Sequence, residues 1–153
     1  KQMNKLAYEI GYALAQEGVS VVTGGKDGIM EASAKGAKDA DGLTIGVVKG
    51  AKRGVSNKYT DVEVISGMEA DGLDELLIVL MSDAFIVIGG GAGTLQEIAL
   101  AYRNNKPIIV IDENERSTNN IKKTNINKKK LSYINSKTSI SEAVEKATNL
   151  ATK

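Results

Sequence analysis

From Ala84 to Asp112 the chain reads AFIVIGGGAGTLQEIALAYRNNKPIIVID: two short, uninterrupted apolar runs with one helix-length stretch between them. A strand that covers one face of a sheet alternates apolar with polar residues, whereas a strand apolar at every position is buried on both faces. Two such runs joined by a helical pattern form a parallel strand–helix–strand unit. The arrangement recurs upstream, where VSVVTGG, LTIGVV and DVEVIS read as strands and GIMEASAKGAKDADG carries a helix over about Ile29 to Ala40. Leu6, Ile10, Ala13 and Leu14 recur at helical spacing before Gly18, which predicts a first helix over Lys5–Glu17. LDELLIVLMS is apolar nearly all round, so it predicts a helix covered on most sides, as core or as a subunit contact. LSYIN reads as a last short strand, and SISEAVEKATNLA as a final helix with Ser139 and Glu142 at capping-box spacing. The expectation is an α/β fold: a single doubly wound, Rossmann-like domain over residues 1–153 with a parallel sheet and a variable polar loop at 113–130. Such domains usually begin with a strand and this chain begins with a helix, so an N-terminal strand and its loop are expected upstream of Lys1.

What the chain lacks narrows its chemistry. It has no Cys and no His, which removes disulfides, zinc–thiolate sites, cysteine nucleophiles and Ser-His-Asp triads together. Acid–base work falls to Asp, Glu, Lys or Tyr. A net charge of +1 gives no global pull toward nucleic acid or membrane. No apolar run reaches the roughly 18–20 residues of a membrane helix, and no signal peptide is visible, so a cytoplasmic protein is expected.

In open parallel sheets ligands sit beyond the C-terminal strand ends, which selects the loops after Val22, Val48, Ile88 and Ile111. Two of these loops are glycine-rich. TGGKDGIME places Gly24, Gly25 and Gly28 between a strand and a helix, and GGGAGTLQE places Gly89, Gly90, Gly91 and Gly93 before Thr94 in the same setting. Backbone without side chains at a helix N-terminus presents unpaired N–H groups and the positive end of the helix dipole to an anion. Neither loop is a phosphate-binding Gly-Lys-Ser/Thr loop, and Gln96 stands where a dinucleotide fingerprint needs its third glycine. Thr94 and Glu97 also have capping-box spacing, which by itself gives both a structural role. In the loop after Val48, Lys49, Lys52 and Arg53 either supply charge to a phosphate or belong to a solvated loop.

These two glycine motifs, in this order, resemble the LOG-like family, often labelled "possible lysine decarboxylase". GGGAGTLQE is similar to the family's P-G-G-x-G-T-x-x-E, and GGKDGIMEASAKGA to its G-G-x-x-G-I-M-E-A-x-x-x-G-A; SDAFIVIGGG and NKPIIVI also fit. Gly89 in place of the Pro resembles the molybdenum-cofactor carrier-like branch. That resemblance implies a homo-oligomer, dimer or tetramer, that binds a phosphate-bearing small molecule such as a nucleotide or molybdenum cofactor. The family's cytokinin-activating members are phosphoribohydrolases of nucleoside monophosphates, which use the motif Glu, here Glu97, with an Arg on the preceding helix. That Arg position falls at Asp74, beside Glu75, and no Arg lies between Gly54 and Tyr102. A carboxylate does not do what a guanidinium does for a phosphate. No pyridoxal-phosphate lysine motif supports the decarboxylase label.

Two further clusters carry weaker signals. Asp112, Glu113 and Glu115 form an acidic group that reads as a loop rather than a metal site. Residues 116–137 hold seven basic residues and no acid, with Tyr133 the one aromatic, which reads as a surface loop rather than a nucleic-acid patch. The sequence therefore favours a binding protein with its ligand in a crevice formed by Gly24–Gly28 and Gly89–Thr94, helped by Lys49 or Arg53. The alternatives are an N-glycosidic hydrolase using Glu97, and an oligomeric scaffold with a vestigial site.

Overall fold

A computed structural model describes residues 2–69, 72–112, 131–135 and 139–151. The basic 116–130 stretch and Glu113 and Glu115 lie outside these residues. The chain divides into two compact units, Lys1–Met81 and Ser82–Lys153.

The first unit runs α1 (Gln2–Gln16), β1 (Val21–Thr23), α2 (Ile29–Asp39), β2 (Thr44–Val48), β3 (Val62–Ile65) and α3 (Leu73–Met81). Its strands form a parallel sheet in the order β1-β2-β3, with Val21 opposite Thr44 and Ile45 opposite Val62. The first helix begins three residues earlier than its apolar spacing suggests, and it stops where expected: Gly18 takes φ 72° and its N–H bonds the Ala15 carbonyl at 2.9 Å. Parallel neighbours need a long crossover, usually helical. Between β2 and β3 that crossover is residues 49–61, with no helix in it. Its return to the sheet is pinned at Thr44, which is 1% exposed. The Thr44 hydroxyl donates to the Tyr59 carbonyl and accepts the Asp61 N–H at 2.9 Å, while the Asp61 carboxylate accepts the Thr44 N–H at 2.9 Å and meets Lys38 at 2.8 Å. Thr44→Val keeps the shape but strands buried polar partners. It is expected to lower the stability measured in urea by about 1–3 kcal/mol.

The second unit runs β4 (Phe85–Ile88), α4 (Ala92–Arg103), β5 (Ile108–Asp112), β6 (Leu131–Asn135) and α5 (Ile140–Ala151). These strands are also all parallel, in the order β4-β5-β6, with Phe85 opposite Ile108 and Ile108 opposite Leu131. Four consecutive residues of β5, Ile108 to Ile111, are buried, as a strand covered on both faces must be. The N–H of Glu142 bonds the Ser139 hydroxyl at 3.3 Å, which is half of the predicted capping box. The architecture is α/β with parallel sheets, as the alternation of apolar runs and helices predicts.

Candidate functional site

In the first unit, the loop after β1 has two glycines in the left-handed region, Gly25 at φ 66° and Gly28 at φ 74°. The Gly25 N–H bonds the Thr23 hydroxyl at 3.0 Å, which turns the chain back at the end of the strand. A side chain at Gly25 would be strained in φ and would also crowd Val48 at 3.0 Å and Ser56 at 3.2 Å. Gly28 is the N-cap of α2 and has open space around it, with no side-chain cap bond. The start of α2 thus keeps a bare backbone face, which suits an anion.

The 53–57 segment leans on this loop. The Asn57 N–H bonds the Gly25 carbonyl at 2.7 Å, and its side-chain amide bonds the Lys26 carbonyl at 3.1 Å. Asn57 also makes an Asx turn, accepting the Tyr59 N–H at 3.1 Å. The segment is itself held by Glu63 on β3, whose carboxylate accepts the N–H groups of Gly54 (2.7 Å), Val55 (2.9 Å) and Ser56 (2.8 Å). Consecutive N–H groups converging on one anion form a nest, made possible here by Gly54 at φ 72°. Bonding to the charged form, by Ser56 foremost and then Gly54, holds the Glu63 carboxyl down at about 2, from 4.5. The sign follows: the stability this group carries is present above pH 4.5 and is lost as the pH falls toward 2. Glu63→Gln is expected to flatten the acid limb of the stability–pH curve in that window, as read from urea midpoints. Arg53 is exposed beside this nest and Lys49 is half-buried.

The first turn of α3 carries a buried carboxylate. Asp74 is 7% exposed, and its Oδ1 is buried without a hydrogen-bond partner among the described residues. Asp74 lies one helical turn before Ile78, on the same face, and Ile78 reaches to 4.0 Å from where a Gly24 side chain would begin. Glu75 reaches back to the Gly72 N–H at 3.0 Å, as the third residue of a capped helix does. Burial first, and then a hydrogen bond with Asp74, push the Glu75 carboxyl above its ordinary range. The apolar helix predicted to be covered on most sides buries Ile78 and Val79 but leaves Leu80 and Met81 exposed. The helix is covered along one stripe only.

In the second unit, Gly89 (φ 61°) and Gly90 (φ 130°) bring the chain from β4 into α4. Gly90 must be glycine, because a Cβ there would collide with the Thr94 side chain. The N-cap is Gly91, in an extended conformation, and no side chain caps it. The capping-box reading of Thr94 and Glu97 is therefore corrected. The helix starts at Ala92, so Thr94 sits inside its first turn and Glu97 beyond it. Gly91, Ala92 and Gly93 are exposed, again leaving a bare backbone face at a helix N-terminus.

Gly24, Gly25, Gly28 and Gly89 to Gly91 thus occupy strand-to-helix turns, as their spacing implies, whereas Gly93 lies in the first turn of α4; each turn ends on a glycine N-cap. The sequence does not reveal Glu63 and Asn57. Asn57 carries a local turn signal, whereas Glu63 bonds residues seven to nine positions away with no motif to announce it. Among the described residues no group of three Asp or Glu side chains is placed to hold a metal ion, and no helix is long and apolar enough to cross a membrane.

Comparison with known proteins adds a lineage. The model of the SLOG cluster4 family matches residues 1–144. A molybdenum cofactor binding protein from Rippkaea orientalis is similar in structure, with a TM-score of 0.84 and 31% identity over 97% of this chain and 87% of that one. The molybdenum cofactor carrier protein of Chlamydomonas reinhardtii aligns with a TM-score of 0.85 and 26% identity over 99% of this chain and 89% of that one. A cytokinin riboside 5'-monophosphate phosphoribohydrolase of Mycobacterium tuberculosis is 33% identical over 72% of this chain; the match takes up 63% of that protein, under two thirds of its length.

Proposed function

The chain belongs to the SLOG cluster4 family, and we propose that it is a binding protein for a phosphate-bearing small molecule, a nucleotide or a molybdenum-cofactor-like ligand. The observation that carries this reading is the shared start of α2 and α4: each begins on a glycine N-cap with no side chain bonded to it. First-turn N–H groups left this way are the backbone donors that phosphates use. In the first unit the proposed contacts are Gly24, Gly25 and Gly28, with Lys49 and Arg53 adding positive charge; in the second unit, taken by itself, they are Gly89, Gly90, Gly91, Gly93 and Thr94. The similarity to proteins named for molybdenum cofactor binding supports the ligand class. A thermal-shift series with AMP, inorganic phosphate and molybdopterin-type ligands tests it. Ligand at a hundred times Kd adds about 2.7 kcal/mol of stability and raises the melting temperature accordingly. Flat curves for all three probes overturn the reading.

A second reading is favoured by Glu97. Glu97 lies in the second turn of a helix that starts on a glycine, and the similarity to a protein named as a cytokinin riboside 5'-monophosphate phosphoribohydrolase supports a catalytic role for it. It would act on the N-glycosidic bond of a nucleoside monophosphate. Incubation with AMP releases free adenine under this reading, and Glu97→Ala abolishes the release. Equal release from both proteins, or none from either, removes hydrolysis and leaves binding. The exposed Leu80 and Met81 fit a homo-oligomer contact, which sedimentation of the purified chain tests.

A further inference from the structure

We infer that Glu63 and Asn57 are positioning residues for ligand binding: a carboxylate on β3 fixes the 53–57 segment, and through it the Asn57 amide aims the backbone of the Gly24–Gly28 loop. The inference rests on the binding reading above and names what sets the geometry of that site.

The β2–β3 crossover contains no helix, so its own backbone ladder does not hold it. Glu63 does that instead, with three N–H bonds of 2.7–2.9 Å from Gly54, Val55 and Ser56. The next residue is Asn57, and it grips two successive carbonyls of the glycine loop, Gly25 at 2.7 Å and Lys26 at 3.1 Å. In a planar trans peptide the N–H points opposite to the C=O of the same unit. Holding the Gly25 and Lys26 carbonyls toward Asn57 therefore turns the N–H groups of Lys26 and Asp27 away from it. Side-chain packing completes the support. Ser56 and Val48 close around Gly25, so the loop is wedged between β2 and the segment that Glu63 holds. A loop with left-handed glycines at Gly25 and Gly28 has many accessible shapes, and these bonds select one of them.

The consequence is quantitative. If the loop occupies its binding shape for only a tenth of the time, apparent affinity falls about tenfold, because Kd scales inversely with the competent fraction. The test uses the full chain, with AMP and inorganic phosphate as probes, by calorimetric titration at a temperature where circular dichroism shows every variant folded. Asn57→Asp keeps the oxygen that accepts the Tyr59 N–H and the backbone bond to Gly25. It replaces the donor to Lys26 with an oxygen that repels the carbonyl. It is expected to lower AMP affinity about tenfold with little change in melting temperature. Glu63→Gln keeps one neutral acceptor and is expected to weaken binding less than Glu63→Ala. Amide hydrogen exchange of residues 26–28, without any ligand, is expected to rise in all three variants. Unchanged AMP affinity in Asn57→Asp overturns the inference even if the melting temperature falls, because a merely structural role predicts that split. A wild-type chain that binds neither probe, nor a molybdopterin-type ligand, overturns the binding reading itself, and unchanged exchange at 26–28 separately overturns the coupling.

Discussion

Gly36→Ala is expected to lower the melting temperature by roughly 5–10 °C, a loss of about 2–3 kcal/mol, and Gly11→Ala to do nearly the same. The sign is the informative part. On an open helix, exchanging Gly for Ala gains about 1 kcal/mol, because alanine loses less backbone freedom on folding. Both glycines here are buried where α1 crosses α2. A Cβ on Gly36 would land on the Tyr8 carbonyl oxygen and come within 3.0 Å of the Tyr12 nitrogen. A Cβ on Gly11 would land on the Ser33 carbonyl oxygen. The obstacles are backbone atoms on both sides, so no rotamer change relieves them and the helices must separate. Ala7, Ala34 and Ala37, all at most 1% exposed, sit in the same close contact and would lose packing as the helices part. Thermal melts of the two single variants check this. Either melting at or above the wild-type temperature would show that the helices yield freely.

That contact also shows where sequence patterns stop. The alternation of apolar runs and helices fixes the fold class, because burial on both faces of a strand leaves no polar position; Ile108 to Ile111 bear this out. The turn glycines are legible too, since their left-handed φ values serve the local chain. Gly11 and Gly36 are not legible in the same way, because their reason lies in the other helix. Glu63 is not legible either: its three donors lie seven to nine residues earlier in an irregular loop, a spacing that matches no motif. Thr94 and Glu97 mislead in the opposite direction. Their spacing fits a cap, but the N-cap of α4 is Gly91, so Thr94 lies in the first turn and not at the N-cap position that a capping box requires. The sequence identifies residue types suited to an anion site; it does not say which backbone groups remain unbonded once the chain has folded.

Asp74→Leu is expected to stabilise the protein by about 1–2 kcal/mol at neutral pH, which is unusual for the loss of a charged group at a helix start. The Asp74 Oδ1 is buried with no partner among the described residues, and an unsatisfied buried polar group costs about 1–3 kcal/mol. Against this stands the favourable effect of a negative charge in the first turn, about 0.3–1 kcal/mol, so removal of the orphan oxygen wins. An apolar side chain of similar volume also continues the stripe that Ile78 and Val79 bury. The pH dependence supplies a second reading of the same site. Burial and the Asp74 hydrogen bond raise the Glu75 carboxyl above 4.5, so the folded state holds a proton that the unfolded chain has released. The stability from this group is full below pH 4.5 and falls as the pH rises through its folded value. With Asp74 gone, one cause of that elevation goes too, and the fall becomes shallower. Guanidinium denaturation of wild type and Asp74→Leu at pH 4 and pH 7 separates the effects: the variant gains more at pH 7 than at pH 4. A variant that is less stable at both values would show that the hydrogen bond to Glu75 and the charge in the first turn of α3 outweigh the unpartnered Asp74 Oδ1.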